Sequence, residues 1–326
     1  ALLALARSDP AVAITQEQLN GGALLLNTLN GTLDLATGML RPHDRADLIT
    51  SVLPVAYDPA ATCPTWDAFI ARITGGRDDM TAYLARATGY SLSGSTAAQC
   101  LFFLHGRGAN GKSTFIETVM ALMGDGAAKV RSQVLMQAER DRVPNEIAAL
   151  AGKRLVVSSE LADGGRLNEG MVKDLTGGDT ISARFLYGEM FQFRPMFKLW
   201  LYGNHKPAIN GIDEGIWRRV QLIPFDVQIP EGERDSGLPA RLRAELPGVL
   251  AWAVRGWHDY AAGGLRPPAR VAGATADYRI ESDVFGLFLS ERCRVEPAAE
   301  AEGGRLYAAY TEWATENGLR PVSNVR

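Results

Sequence analysis

The sequence predicts a mixed α/β fold, in which helices cover a mostly parallel sheet. Between residues 96 and 226, strand-like and helix-like stretches alternate, which is the pattern of such a sheet. The stretch "CLFFLH" is typical of a buried strand, and "STFIETVMALMG" has apolar residues at helical spacing from Phe115 to Met123. A glycine-rich turn at 106–111 joins the two. This order of strand, glycine-rich turn and helix is one in which proteins bind phosphate groups.

The bulk composition argues against several classes of protein. Of the 326 residues, 46% are hydrophobic and 22% are charged, as in an ordinary globular protein. The longest apolar runs are far too short to cross a bilayer. The six apolar residues at the start precede the first positive charge, which is the wrong order for a secretory signal. We expect a protein without a membrane segment, and we interpret its start as the cut end of a longer polypeptide.

Cysteine usage and net charge constrain the setting and the partners. The three cysteines (Cys63, Cys100 and Cys293) stand far apart, and the four histidines do not cluster with them. This pattern predicts neither a disulfide framework nor a zinc site, so we expect a reducing, cytoplasmic interior. The formal charge of −3 argues weakly against a protein that coats nucleic acid, but it leaves room for a local basic channel.

The first 95 residues are predicted to form a hairpin and a small helical bundle. Asn30-Gly31 stands between two short apolar stretches, which indicates a hairpin whose two turn positions need positive φ. After Pro64, Thr65 is the expected N-cap of a helix, and a Gly75-Gly76 break separates this helix from a second one.

The glycine-rich turn fits the pattern G-x-x-x-x-G-K-[ST] at residues 106–113. Glycines let successive backbone N–H groups turn inward around a phosphate, and the following helix offers its positive N-terminus. Lys112 is expected to bridge the β- and γ-phosphates, and Ser113 to ligate Mg²⁺. The expected ATP-binding residues are Gly106, Gly108, Asn110, Gly111, Lys112, Ser113 and Thr114. The alternative is a glycine-rich turn that binds no nucleotide.

Two further strands end in polar residues that suit hydrolysis of a nucleotide. "GKRLVVSSE" ends in Glu160, which could orient the attacking water and approach Mg²⁺ from the side opposite Ser113. Ser159 fills the place where a first acid is common. "FKLWLYGN" ends in Asn204, whose amide could hold the water beside the γ-phosphate. The alternatives are a solvated carboxylate for Glu160 and a simple turn for Asn204.

An arginine pair follows in "GIWRRVQLIPF". Arg218 or Arg219, placed just before a strand, could reach the nucleotide of a neighbouring subunit as an arginine finger. A surface pair beside Trp217 is the alternative.

A second β-hairpin is predicted in "VKDLTGGDTISARFLYGEMFQFRPMF", with its turn at Gly188-Glu189. Its tip presents Tyr187 with Arg184 nearby, and a ring plus a guanidinium suits a single nucleic-acid strand by stacking and phosphate contact. A purely structural hairpin is the alternative.

The chain beyond the sheet is predicted to be helical. "RLRAELPGVLAWAVRGWHDY" should be a core helix, "GGLRPP" at 263–268 a linker, and "VFGLFLSERC" and "RLYAAYTEWATENG" two amphipathic helices. The expected division is therefore 1–95, 96–262 and 263–326.

As a set, these motifs resemble the superfamily III helicase module of phage, plasmid and poxvirus primase-helicases. The resemblance rests on "GRGANGKSTF", "GKRLVVSSE", "VKDLTGGDTISARFLYGE", "LYGNHKPAI" and "GIWRRVQLIPF" in this compact order. The element Lys173…Gly177-Gly178-Asp179 is not carried by a generic ATPase.

The resemblance implies a P-loop NTPase core of AAA+ type, with an N-terminal helical collar and a partial C-terminal winged-helix-like domain. It implies a hexamer around single-stranded or forked DNA that moves 3′→5′ with ATP and Mg²⁺. It also implies an upstream primase region and a phage, prophage or plasmid in a bacterial host. The roles that it implies concern the following residues: Lys112 and Ser113 at ATP–Mg²⁺, Glu160 as catalytic acid, Asn204 at the γ-phosphate, Arg219 before Arg218 as finger, Lys173 near the nucleotide or subunit boundary, and Arg184 and Tyr187 in the DNA pore.

Two rival functions stay open at this point. A P-loop kinase needs an arginine-rich lid and an acceptor pocket, and neither is evident in the sequence. A DNA-binding loader that does not unwind is compatible with the single acid at Glu160.

Overall fold

The computed structural model describes residues 9, 12–15, 18–137, 145–159, 165–209, 214–318 and 321. Its strands are β1 (Leu25–Thr28), β2 (Gly31–Asp34), β3 (Met39–Arg41), β4 (Leu101–His105), β5 (Ala127–Val130), β6 (Leu155–Ser159), β7 (Ile181–Arg184), β8 (Met190–Phe193), β9 (Lys198–Gly203) and β10 (Val220–Pro224). Its α-helices are α1 (Pro64–Thr74), α2 (Asp78–Leu92), α3 (Lys112–Met123), α4 (Asn145–Ala148), α5 (Glu169–Gly177), α6 (Glu214–Trp217), α7 (Leu238–Ala244), α8 (Leu246–Gly263), α9 (Ala269–Ser282), α10 (Val284–Arg292) and α11 (Gly303–Glu316).

Five parallel strands form the central sheet, in the order β10-β4-β9-β6-β5. The predicted mixed α/β fold with a parallel sheet is therefore confirmed. Because all five strands run the same way, their carboxyl ends lie along one edge of the sheet, which we call the carboxyl edge. Their beginnings lie along the opposite, amino edge. β9 separates β4 from β6, so the residue after β9 lies next to the residue after β4.

The sheet is buried on both faces, which explains why its strands are almost wholly apolar. Along β4, Phe102 and Leu104 pack into one hydrophobic core, whereas Leu101 and Phe103 pack into another on the opposite face. The first core runs from Leu26 in β1 to residues of α9, and it includes α1, α2, α3 and α8. The N-terminal elements thus share a core with the central sheet. The division into 1–95, 96–262 and 263–326 stays a prediction.

The first hairpin is present, but its turn is one residue earlier than predicted. Thr28 pairs with Gly31, so the two turn residues are Leu29 and Asn30, and Asn30 does not have positive φ. Gly31 is the first residue of β2, where an added Cβ would lie 2.4 Å from the carbonyl oxygen of Arg41 in β3. This glycine is therefore needed for close strand approach rather than for the turn.

The two predicted N-terminal helices are confirmed as α1 and α2, but the predicted cap is wrong. α1 begins at Pro64 and has no side-chain cap of its own. Instead, the carboxylate of Glu245, which precedes α8, accepts from the backbone N–H groups of Thr65 and Trp66, each at 3.0 Å. A carboxylate at a helix N-terminus does the work of an N-cap. The cap therefore comes from a residue 180 positions away along the chain.

The C-terminal helices follow the prediction in part. The predicted core helix is split at Glu245 between α7 and α8, and a break follows at Gly264. α10 and α11 occupy the positions of the last two predicted helices, and they share a small core around Phe288 and Trp313. α9 was not predicted, although it packs closely on β10. The collar and the winged-helix-like domain stay predictions. Among the described residues, no helix has the length and apolarity needed to span a membrane.

Candidate functional site

The phosphate loop runs from β4 to α3, as the motif predicts. At Gly106 an added Cβ would lie 2.3 Å from the carbonyl oxygen of Phe225 and 2.5 Å from Nδ2 of Asn110, so only glycine fits. Gly111 has φ +84, and an added Cβ would lie 2.5 Å from Cγ2 of Ile73 in α1. The loop is thus held tightly at both ends by tertiary contacts.

The middle of the loop is open. Nothing lies within 4 Å of an added Cβ at Gly108, so packing does not require glycine there. Ala109 has φ +57, and its carbonyl oxygen accepts from the backbone N–H of Ile229 at 2.7 Å. α3 begins without a side-chain cap, which leaves the first-turn N–H groups, with Ser113 and Thr114, available to an anion.

Lys112 is buried inside the loop, with 5% of its surface exposed. Its ammonium group donates to the carbonyl oxygen of Gly106 (2.6 Å), to Oδ1 of Asn110 (2.9 Å) and to Oδ1 of Asn204 (3.2 Å). Burial lowers the pKa of Lys112 to about 8, because the charged form loses hydration. An anion placed beside this ammonium would therefore gain more than it would beside a solvated lysine.

Asn110 orders the loop around this lysine. Its Nδ2 donates to the carbonyl oxygen of Phe225 at 2.9 Å, which leaves its Oδ1 to accept from Lys112. Phe225 follows β10 directly, and its own N–H donates to the carbonyl oxygen of His105 at 2.7 Å. Phe225 and Ile229 contribute through their backbone, so no side-chain motif in the sequence could have identified them.

Asn204 lies where the order of the strands requires. It follows β9, the neighbour of β4, at the carboxyl edge, and its amide contacts the lysine of the loop. The structure therefore brings Lys112 and Asn204 together. Next to them, His105 ends β4, and its pKa is lowered by burial and by the nearby positive charge of Lys206. Sequence reasoning did not single out His105.

Glu160 lies outside the described residues, so its role as catalytic acid and metal ligand stays a prediction. The strand that leads to it, β6, ends at Ser159 at the carboxyl edge. Among the described residues, no group of three or more histidine, cysteine, aspartate or glutamate side chains could hold a metal ion.

Arg218 and Arg219 lie at the amino edge, away from the loop of their own chain. They directly precede β10, whose five residues span about 16 Å at about 3.3 Å per residue. Arg219 is buried: its Nε donates to Oγ1 of Thr176 at 3.1 Å, and its guanidinium also donates to the carbonyl oxygen of Gly215. Arg218 is exposed. The sequence favoured Arg219 as finger, whereas in this structure the arginine that faces solvent is Arg218.

The second hairpin is confirmed, with β7 and β8 paired in antiparallel fashion. Its tip exposes a set of large apolar side chains: Phe185 (53% exposed), Leu186 (65%), Tyr187 (99%) and Met190 (61%). Arg184 at the end of β7 is also exposed. At its base, the hairpin leads into β9 at the amino edge. Lys173 is half-buried on α5, one turn before Thr176.

These features define an α/β protein with a P-loop-like core. A glycine-rich loop between a central parallel strand and a helix, with a buried lysine inside the loop, is the construction that holds nucleotide phosphates. The hairpin and the arginine pair lie at the other edge of the same sheet.

Comparison with known proteins shows what the chain is similar to. The model "D5 N terminal like" matches residues 1–75, and the model "Family of unknown function (DUF5906)" matches residues 104–219. The chain is 30% identical to "Putative helicase L207/L206" of Acanthamoeba polyphaga mimivirus over 93% of its own length and 34% of that protein. It is 28% identical to "Putative helicase 022R" of Frog virus 3 over 79% of its length and 28% of that protein. "Primase D5" of Fowlpox virus is 30% identical over 40% of the chain and 17% of that protein.

The chain is thus similar to D5-type helicase and primase proteins of viruses, and the resemblance to a superfamily III primase-helicase module is confirmed. The chain spans about a third of the length of the mimivirus protein and a smaller share of the other two relatives. A solved structure, "The apo structure of NrS-1 C terminal region (305-718)", has a TM-score of 0.49 at 9% identity, covering 73% of this chain and 61% of that one. The expected phage or plasmid origin in a bacterial host finds no support in the three relatives, which are proteins of mimivirus, Frog virus 3 and Fowlpox virus.

Proposed function

We propose that this chain is the ATP-hydrolysing part of a DNA helicase. The observation that carries the proposal is the contact between Lys112 and Asn204 inside a phosphate loop that fits the motif. A lysine that binds phosphate and an amide that touches it form a site that responds to the presence of a γ-phosphate. The names of the viral relatives, which include helicases and a primase, support DNA as the substrate on which the proposed helicase acts.

The residues of the loop fit a nucleoside triphosphate with Mg²⁺. A Cβ would clash at Gly106 and at Gly111 of the cradle, and its lysine is buried with carbonyl and amide partners that a phosphate oxygen can replace. Mg²⁺ is commonly bound by one or two protein groups together with substrate phosphates. We assign those protein groups to Ser113 and Glu160. The bound metal would neutralise charge on the phosphates, while Glu160 orients the attacking water.

The hairpin tip is the proposed contact with single-stranded DNA. An apolar, fully exposed Tyr187 next to exposed Arg184 offers a face for base stacking and a charge for the phosphate backbone. Four large apolar side chains at one tip are also costly to leave in water, so the tip is expected to have a partner. We include Lys173 among the DNA-binding residues.

The arginine pair is the proposed contact between subunits. The pair lies at the amino edge and the loop at the carboxyl edge, so neither arginine can complete the site of its own chain. We propose that Arg218 completes the site of a neighbour, and that Arg219 supports it from a buried position. Such sharing requires a ring or a similar assembly, which we propose to be a hexamer around DNA moving 3′→5′. A primase region is proposed for the part of the full polypeptide that lies upstream.

The test is ATP turnover with and without single-stranded DNA, followed by strand separation on forked DNA. Lys112→Ala should abolish turnover, whereas Lys153→Ala, which removes a lysine at the amino edge, serves as the matched control. DNA stimulation that is lost only in Lys112→Ala supports the proposal. ATP turnover that does not change when DNA is added would instead favour a kinase. Binding of ATP and DNA without turnover would favour a loader.

A further inference from the structure

A chain of hydrogen bonds at the amino edge joins the arginine pair to the helix that leads into the second hairpin. Gln99 is at its centre. Its Nε2 donates to the carbonyl oxygen of Gly177 at 3.1 Å, and its Oε1 accepts from the guanidinium of Arg218 at 3.2 Å. In parallel, Arg219 donates to Thr176, the residue before Gly177. Both arginines are therefore tied to the end of α5, four to five residues before β7 begins at Ile181.

The type of residue at position 99 fits this double contact. A side-chain amide can donate to a carbonyl and accept from a guanidinium at the same time. A carboxylate could only accept, and an alanine could do neither. Gln99 thus has the chemistry to hold a backbone carbonyl and an arginine together.

The backbone around Gln99 supports a specific role for its side chain. Gln99 has φ +44, a left-handed conformation that is unfavourable for a non-glycine residue. On the facing side, Gly178 has φ +83, and an added Cβ there would lie 2.7 Å from Oγ1 of Thr96. The segment 96–99 and the turn after α5 therefore fit closely together. Leu101, two residues after Gln99, begins β4, the strand that leads to the phosphate loop.

We propose that Gln99 is a positioning residue that holds Arg218 in place until a phosphate of a neighbouring subunit engages it, and that couples this arginine to the hairpin. When Arg218 turns toward a phosphate of the neighbour, it must leave Oε1 of Gln99. The amide is then free to shift, and with it the carbonyl that it holds at the end of α5. The base of the hairpin follows this carbonyl within a few residues. The inference rests on the proposed function and names the route by which a neighbour's nucleotide moves the hairpin.

The experiment compares Gln99→Ala, Gln99→Glu and Gln99→Gly with the native chain. Four quantities are measured: ATP affinity, affinity for a labelled single-stranded oligonucleotide, DNA-stimulated turnover, and base pairs separated per ATP hydrolysed. Gln99→Gly removes the side chain but also relieves the left-handed backbone, so it separates the two effects. Because Gln99 is half-exposed, all three variants should fold, which thermal melting checks.

In Gln99→Ala and Gln99→Gly we expect both affinities to stay within about twofold, while base pairs separated per ATP fall roughly tenfold. Gln99→Glu keeps an acceptor for Arg218, so its turnover should stay within about threefold of the native rate, yet its separation per ATP should fall like that of the alanine variant. The double variant with Gln99→Ala and Arg218→Ala should turn over ATP no more slowly than Arg218→Ala alone, because both residues act in one route.

The inference is overturned if Gln99→Ala separates as many base pairs per ATP as the native chain. It is also overturned if the double variant loses as much turnover as the losses of Gln99→Ala and Arg218→Ala combined. A native chain without DNA-stimulated turnover would overturn the proposed function and this inference together. A stimulated native chain with unaffected Gln99 variants would overturn this inference alone.

Discussion

Replacing the two neighbouring arginines one at a time separates a residue that acts on a partner from a residue that stabilises its own chain. Arg218 is exposed, so Arg218→Ala should change the free energy of unfolding by no more than about 0.5 kcal/mol. If Arg218 supplies the finger, ATP turnover should nevertheless fall about 10³-fold or more, because charge in the transition state is no longer stabilised. ATP affinity should stay near the native value.

Arg219→Ala should show the reverse order of effects. The substitution leaves the carbonyl oxygen of Gly215 without the guanidinium that it now accepts from. Thr176 is less affected, because its hydroxyl still donates to the carbonyl oxygen of Val172 at 2.6 Å. The loss of this hydrogen bond from a charged group to a half-buried carbonyl, about 1.5–3 kcal/mol, sets the expected destabilisation. Turnover measured on the folded fraction should fall less than in Arg218→Ala.

A mixing assay tests action between subunits directly. Lys112→Ala cannot bind ATP productively but still carries Arg218, whereas Arg218→Ala keeps an intact phosphate loop. Each variant alone should be inactive, and a mixture of the two should recover part of the native turnover, because some sites then combine a native loop with a native arginine. Denaturant unfolding and steady-state turnover provide the two measurements. Native turnover in Arg218→Ala, or a mixture as inactive as its components, would refute the reasoning.

Three further predictions concern the hairpin, the loop lysine and the helix packing. Tyr187→Ala should weaken binding of a labelled single-stranded oligonucleotide, measured by anisotropy, by the loss of one stacked base, about 1–3 kcal/mol, while Tyr187→Phe should bind like the native chain. Because burial lowers the pKa of Lys112 to about 8 and phosphate favours its charged form, ATP binding should take up a proton at about pH 8.5 and none at about pH 7, measured by calorimetry in two buffers. ATP affinity should accordingly fall as the pH rises above about 8. Gly89→Ala should destabilise the fold by at least about 1–3 kcal/mol in denaturant unfolding, since its Cβ would lie 2.2 Å from the backbone nitrogen of Trp257.

Each of these has a clear contrary result. Equal DNA affinity in Tyr187→Ala would remove stacking at the tip from the mechanism. A binding enthalpy that does not depend on the buffer at the higher pH would show that Lys112 does not change its protonation on binding. For the helix packing, Gly273→Ala in α9 is the control, because nothing lies within 4 Å of its added Cβ. Helix propensity alone should make this control stabilising by up to about 1 kcal/mol. If Gly89→Ala behaves like Gly273→Ala, the close approach of α2 and α8 is wrong.

Local patterns predicted the elements that depend on local chemistry. The spacing of apolar residues predicted α1, α2, α8 and the second hairpin. The pattern of glycines predicted the phosphate loop. The sequence placed Lys112 and Asn204 separately beside the γ-phosphate, and the structure adds that the two side chains touch.

The predictions that failed concern contacts between residues distant in sequence. Gly31 is explained by the carbonyl of Arg41 rather than by its own turn, and the cap of α1 comes from Glu245. The choice between Arg219 and Arg218 as finger stays a prediction, but nothing near Arg219 in the sequence indicated that Thr176 holds its side chain inside the protein. Gln99 was missed for the same reason, since both of its partners are about 80 to 120 positions away.

The way α1 backs the phosphate loop has a consequence for how this protein can be divided and recombined. Gly111 leaves room for Ile73, and Trp66 of α1 stacks on Phe115 of α3 with ring centroids 5.6 Å apart. An ATPase cut out at residue 96 would lose this support and expose the rings that now touch it. Shuffled or transplanted versions should therefore function only when the N-terminal segment and the ATPase come from the same parent. The two regions are expected to be inherited as one unit, with exchange of parts tolerated beyond them.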